Sequence, residues 1–206
     1  SSLRLRGLMT IAANTTDVAA NADGSAWVLV DCMRNGDACT GTTLTRIDRD
    51  GAPLFSRRVD PRVAQAGQPA LAYPPEEDFG ITALGSTSDG GVTITGQVQG
   101  VNKPTCGEER RCTDGFIARL TPTGALQWQR AYGAAGSEAF GTAARELPDH
   151  GVLVAGASTS FDARPLSSTL SVRADANGSV SSACQAEQAS PVAIALTDSA
   201  LLAAPA

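Results

Sequence analysis

The sequence predicts an all-β protein built from repeated four-stranded antiparallel units. Three observations predict it. First, a turn followed by a strand recurs. NADGSAWVLVD begins at Asn21, TSDGGVTITG at Thr87 and LPDHGVLVAG at Leu147, with a weaker copy, LTDSALLAAPA, at Leu196. The turn aspartates Asp23, Asp89, Asp149 and Asp198 lie 66, 60 and 49 residues apart. Second, another segment recurs between these copies. TLTRIDRDGAPLF, FIARLTPTGALQW and LSVRADANGSVSS align on Gly51, Gly124 and Gly178. Arg46, Arg119 and Arg173 stand five residues before those glycines, and Phe55, Trp128 and Ser182 four residues after them. Third, the segments between turns are short and alternate or run apolar. None keeps a 3.6-residue period together with helix caps, despite the abundance of alanine.

The middle unit defines the elements in order. GITALGS from Gly80 forms the first strand and turns at Asp89-Gly90 into GVTITGQV. After a long loop, GFIARLT turns at Pro122-Thr123-Gly124 into ALQWQRAY. Asp-Gly and Asn-Gly turns supply the positive φ that hairpins need. The second strand is near-continuously apolar over Trp27–Val30 and Val152–Ala155, which predicts cover on both faces. In GVTITGQV, Val92 and Ile94 alternate with Thr93 and Thr95. Four-stranded units of this length, buried on both faces, are the blades of a β-propeller. The expected layout is one partial propeller domain over 1–206. Its blades fall near 15–60, 78–133 and 138–185, with a partial blade at 190–206. That is about three and a half blades, where propellers close with roughly four to eight. More of the same chain, or another chain, is therefore expected to complete the ring.

Composition restricts function. The net charge is −5 with nine aromatic residues (two Trp, two Tyr, five Phe), which argues against a nucleic-acid footprint. No apolar run is long enough to span a membrane. No basic segment followed by an apolar one opens the chain, so a secretory signal reads as already removed. The single histidine, His150, excludes most His-based catalytic and metal sites. Four of the five cysteines form two close pairs, Cys32 with Cys39 and Cys106 with Cys112. Their spacing is wider than zinc ribbons use. They read as two local disulfides, with free buried thiols the alternative. Disulfides persist in oxidising compartments, so the protein is expected outside the cytoplasm. Cys184 is left as a buried free thiol or as a partner for a cysteine on another segment or chain. Lys103 is the only lysine among sixteen basic residues, a coding bias suggestive of a GC-rich bacterium.

The stretch from Thr113 to Ser160 resembles the delta-60 and related SBBP-type propeller repeats of bacterial surface proteins. Arg119, Gly124, Trp128, Tyr132-Gly133, Glu138, Asp149, Gly151 and Ala155-Gly156 carry the likeness. The first unit has Phe55 for the tryptophan and lacks Tyr-Gly, and the third has Ser182. The resemblance implies a secreted or surface-exposed propeller and little about activity. TSDGGVTI is also similar to the sialidase Asp-box, with Ile94 for its aromatic. ARLTPTGALQW is similar to the quinoprotein tryptophan-docking motif, with Leu120 where that family has Asp. Both are blade-docking devices and not catalytic groups.

Candidate sites follow from these patterns. Arg46, Arg119 and Arg173, with Phe55 and Trp128, read as repeat-structural residues whose guanidinium groups bond carbonyls or carboxylates between blades. Cys106 and Cys112 pin a tip bearing Glu108, Glu109, Arg110 and Arg111, a candidate binding loop whose constraint lowers the entropy lost on binding. His150 reads as an exposed turn residue. Glu76, Glu77 and Asp78 read as a solvated charge run, since no calcium-loop pattern surrounds them. Asp60, Glu77, Asp78, Glu138 and Asp162 lie on or beside loops, and none stands out as half of a catalytic pair. No residue is assigned to catalysis, to a cofactor or to a metal.

The expected function is a non-catalytic, extracytoplasmic propeller module for binding or assembly. It would contact a protein or glycan through the stapled loops, or be completed by another chain. The alternatives are a structural subunit of a larger surface complex, and a carbohydrate-active or quinoprotein-like propeller enzyme.

Overall fold

A computed structural model describes residues 14–31, 42–63, 71–72, 80–99, 113–133, 138–158, 168–180, 188–190 and 193–198. These residues form an all-β structure of antiparallel strands with no helix among them. β1 (Asn14–Ala20), β2 (Ala26–Asp31), β3 (Thr42–Ile47) and β4 (Pro53–Val63) form a meander, to which β5 (Leu71–Ala72) adds a short pairing with β4. β6 (Gly80–Ser86), β7 (Val92–Gln99), β8 (Thr113–Leu120) and β9 (Leu126–Gly133) form the second meander. β10 (Glu138–Glu146), β11 (Val152–Ser158) and β12 (Ser168–Ala174) form the third sheet, with one further bridge between Ala174 and Val180. β13 (Gln188–Ser190) pairs with β9, and β14 (Ala193–Asp198) with β4.

The last two strands differ from the expected layout. The sequence reading put 190–206 at the start of a further unit. Instead Ala193–Asp198 runs antiparallel to Arg57–Arg62 as an outer strand of the first sheet. The outer edge of β4 offers a row of unpaired backbone groups, and pairing them outweighs the weak likeness of this segment to the earlier turns.

All six described tight turns share one construction. The first residue donates its N–H to the fifth, and the fourth donates back to the first, in Asn21–Ser25, Asp48–Ala52, Thr87–Gly91, Thr121–Ala125, Leu147–Gly151 and Asp175–Ser179. The fourth position has positive φ each time, glycine in five turns and His150 at 62° in the sixth. This is a tight turn closed by a left-handed residue, which matches strand twist. A polar side chain, acidic in five of the six, then specifies each kind of turn. Between first and second strands the third residue caps: Asp23, Asp89 and Asp149 accept from the backbone N–H two residues on. Between third and fourth strands the first residue caps: Asp48 and Asp175 each accept two backbone N–H groups, and the hydroxyl of Thr121 accepts one.

The sheets pack face to face. β1 lies against β6, and β10 against β6 and β7. One apolar cluster joins the first two sheets through Trp27, Leu29, Leu44, Ile94, Phe116 and Leu120, with Phe55 at its edge. A second joins the second and third sheets through Ile117, Tyr132, Val152, Val154 and Val172, with Trp128 packed on it. Alternation along β8 therefore feeds both cores. Phe116, Ala118 and Leu120 serve the first, and Ile117 the second. Thr93 and Thr95, which alternate with Val92 and Ile94, are buried as well.

Trp27–Val30 is buried throughout, as its apolar run predicts. Val152–Ala155 departs from that expectation. Val152 and Val154 are buried, but Leu153 is 41% exposed. Its apolar character does not bring a cover, because no described strand packs on that face.

Candidate functional site

The residues singled out for chemistry meet where the sheets join. Arg46, Arg119 and Arg173 occupy one register position, opposite Trp27, Thr93 and Leu153 on the strand before. On the strand after, Arg46 faces Phe55 and Arg119 faces Trp128. In the first two sheets this row lies on the face that packs against the next sheet.

In the first joint, the Trp27 indole donates to the Gly90 carbonyl at 3.2 Å and meets Phe55 edge-on at 5.5 Å. The Arg46 guanidinium lies 5.6 Å from the centre of the Trp27 ring, donates to the Pro122 carbonyl across the joint, and sits 3.6 Å from Asp23 on its own sheet. Phe55 packs onto the turn at Gly124, where an added Cβ would fall 2.7 Å from its ring.

The second joint repeats this arrangement with different partners. Arg119 donates to the His150 carbonyl at 2.8 Å and to Glu146 Oε1 at 2.7 Å, with Asp89 at 3.9 Å. Both side chains of the pair are shielded, 7% and 9% exposed. The Ser88 backbone N–H donates to the other Glu146 oxygen. Trp128 covers Gly178, where a Cβ would lie 2.6 Å from the indole, and Tyr132 Oη donates to the Gly178 carbonyl at 2.7 Å. Gly85 approaches the third sheet most closely: a Cβ there would fall 2.4 Å from the Ala144 carbonyl oxygen. Backbone cannot retreat as a side-chain tip can, so Gly85→Ala is expected to cost about 1–3 kcal/mol by prising the sheets apart. Urea unfolding of that variant measures it.

Burial pushes the Glu146 carboxyl upward, but bonds from Ser88, Arg119 and His150 outweigh it and hold the group below the usual glutamate range. Asp89 is likewise raised by burial and lowered further by Thr87, Gly91 and Arg119. Lowered folded values mean that these groups stabilise the protein above the ordinary carboxylate range. That stability is lost as pH falls through the folded values. Glu146→Gln is therefore expected to melt below wild type near pH 7, with the gap closing as pH falls below about 4. Melting curves taken across that range check this.

Ser88, His150 and Glu146 form an apparent Ser-His-acid set that the turn sequence does not announce. Ser88 Oγ lies 3.5 Å and Glu146 Oε1 3.4 Å from His150, but both contacts fall on Nδ1. A relay needs the acid and the nucleophile on opposite ring nitrogens. Here the acid is also committed to Arg119. A cleft of about 480 Å³ opens where β1, β6 and β10 meet, lined by Val18, Leu84, Ser86, Ser88, Arg145 and Glu146 among others. Among the described residues that line it, Glu146 is the one acid and none is aromatic. Among the described residues no group of three or more His, Cys, Asp and Glu side chains converges as a metal site.

At the outer sheets Gly51 and Arg173 hold the positions of these joint residues without the neighbours that the inner ones have among the described residues. Gly51 has the same positive φ as Gly124 and Gly178, yet nothing lies within 4 Å of where its Cβ would be. Among the described residues Arg173 bonds Asp149 of its own sheet, at 2.6 Å, and its side chain is 67% exposed.

Sequence reasoning singled out Arg46, Arg119, Phe55 and Trp128, which the structure brings to the joints. It did not single out Trp27, Gly85 or Glu146. Trp27 is signalled only by being one of two tryptophans, and Gly85 and Glu146 by nothing local. Cys32, Cys39, Cys106, Cys112 and Cys184, the tip residues Glu108, Glu109, Arg110 and Arg111, the run Glu76–Asp78 and Asp162 lie outside the described residues. No protein-family model matches the chain, nor does any curated protein.

Proposed function

We propose that the protein is a non-catalytic module for binding or assembly, made of propeller-type blades stacked through their turn ends, and that it works outside the cytoplasm. The supporting observation is the use made of Arg119, Glu146 and His150. Among the described residues, these side chains, suited to acid–base or anion chemistry, are engaged in holding one sheet to the next. Among the described residues, the cleft between the innermost strands offers no second acid to pair with Glu146, as glycoside cleavage needs. The likeness of Thr113–Ser160 to bacterial surface repeats and the paired cysteines support an extracytoplasmic setting. The ligand is a protein or glycan taken by the loops, with Glu108–Arg111 the first contact to alter.

A panel of glycosidase, polysaccharide lyase and dye-linked dehydrogenase assays tests this reading. No turnover is expected. Turnover abolished by substituting an Asp or Glu of this chain overturns it.

A further inference from the structure

We propose that Asn177 is an N-glycosylation site, modified by a membrane-bound transferase that takes its saccharide from a polyprenyl diphosphate carrier. The proposal rests on the extracytoplasmic setting argued above and adds a covalent modification to it. Asn177-Gly178-Ser179 has the form Asn-x-Ser with no proline between, which such transferases accept on secreted chains. Asp175 stands two residues before Asn177 and completes the longer acid-x-Asn-x-Ser form that bacterial enzymes of this class read. The only other such triplet in the sequence is Asn14-Thr15-Thr16, with no acid two residues before it. It lies in β1, where Asn14 and Thr15 pair with Asp31 and Val30 of β2.

The turn Asp175–Ser179 has room for a glycan. Gly178 is buried there, while Asn177 and Ser179 are exposed. Trp128 covers Gly178, and Tyr132 Oη donates to its carbonyl, so this part of the turn is pressed on the second sheet. Asn177 and Ser179 are held through their backbone, each N–H donating to Asp175 Oδ1 at 2.8 Å. Among the described residues neither the Asn177 amide group nor the Ser179 hydroxyl has a partner of its own. Turn chemistry accounts for Asp175 as the cap and Gly178 as the left-handed residue. It does not account for the hydroxyl, since Ala52 and Ala125 hold the place of Ser179 in the two matching turns.

The same contacts set the order of events. A transferase takes the triplet in an extended form. In the folded turn Gly178 has φ of 80°, and the Asp175 carboxylate is committed to capping. Transfer therefore precedes closure of the turn, as the chain emerges from the cytoplasm, and the exposure of Asn177 lets the product fold. Asn177 Nδ2 attacks the anomeric carbon of the carrier-linked saccharide. The C–N bond forms, and the bond from that carbon to the diphosphate oxygen breaks. The polyprenyl diphosphate leaves, and one amide proton passes to a base of the transferase.

Mass spectrometry of the protein recovered from the envelope and medium of the cells that make it tests the proposal. Trypsin cuts after Arg173, and Asn177 is the only asparagine from Ala174 to Ala206. A saccharide mass is expected on the peptide that begins at Ala174, and electron-transfer fragmentation is expected to place it on Asn177. Expressed in the same cells, Asn177→Gln and Ser179→Ala are expected to lose the added mass, and Ser179→Thr to keep it. Unmodified Asn177 in protein from the envelope or medium overturns the proposal and leaves the extracytoplasmic reading intact. A gain matching deamidation alone does the same, as does an added mass that lies on a serine or survives Ser179→Ala. Recovery from the cytoplasm alone, with Asn177 unmodified, overturns both.

Discussion

Replacing Arg119 with methionine is expected to lower stability by about 3–5 kcal/mol. For a chain of this size that corresponds to a fall in Tm of roughly 6–20 °C. The arginine stem is long and its head meets the His150 carbonyl and Glu146 across the joint and Asp89 on its own sheet. Methionine keeps much of the packing and removes the charge. Glu146 is then left shielded, held by Ser88 and His150 but without its cation, and the desolvation of an unpaired carboxylate is the main cost. Urea unfolding of Arg119→Met, Glu146→Leu and the double variant gives the coupling between them. The double variant is expected to be more stable than the sum of the single losses predicts, because removing both charges removes the stranded one. Strict additivity would show that the pair does not hold the sheets together.

Trp27→Ala is expected to cost about 3–5 kcal/mol, the usual range for deleting a buried large aromatic. Trp27 is fully buried at the centre of the first core. It supports three contacts at once: the edge-on ring of Phe55, the guanidinium of Arg46 and the carbonyl of Gly90. The truncation leaves a cavity and an unmatched carbonyl in the same place. Trp27→Phe keeps most of the volume but loses the N–H donor, and is expected to lie well between wild type and alanine. Chemical denaturation read by far-UV circular dichroism measures both variants. A loss below about 1 kcal/mol for alanine would mean that the first joint does not form in solution.

Much of the fold was legible in the chain because β structure is written locally. The turns repeat an acid and a glycine at fixed offsets, and only a left-handed residue closes such a turn. His150 in the glycine position shows the limit of that rule. The reading of strand pairs within each sheet depended on the same turns, which set register over short distances. The joints were half legible. Arg46, Arg119, Phe55 and Trp128 recur at constant spacing, so their shared role was visible before their partners were. Those partners come from other units: Pro122 for Arg46, and Glu146 and the His150 carbonyl for Arg119. Nothing near Glu146 in sequence marks it as the counter-charge of a residue 27 positions earlier.

The apolar runs show why burial could be misjudged. Trp27–Val30 and Val152–Ala155 look alike as strings, yet only the first is covered on both faces. Alternation specifies which side chains share a face, but not what stands opposite that face. Likewise Leu196–Asp198 resembles the start of another unit, and the free edge of β4 takes it instead. By itself the sequence determined the β class, the turns, the strand order within each meander and the recurring arginine and aromatic positions. All of these depend on backbone sterics and spacing over a few residues. Only the tertiary structure decided which faces are joined and which charges meet. Those depend on contacts between segments tens of residues apart, where no local period carries the information.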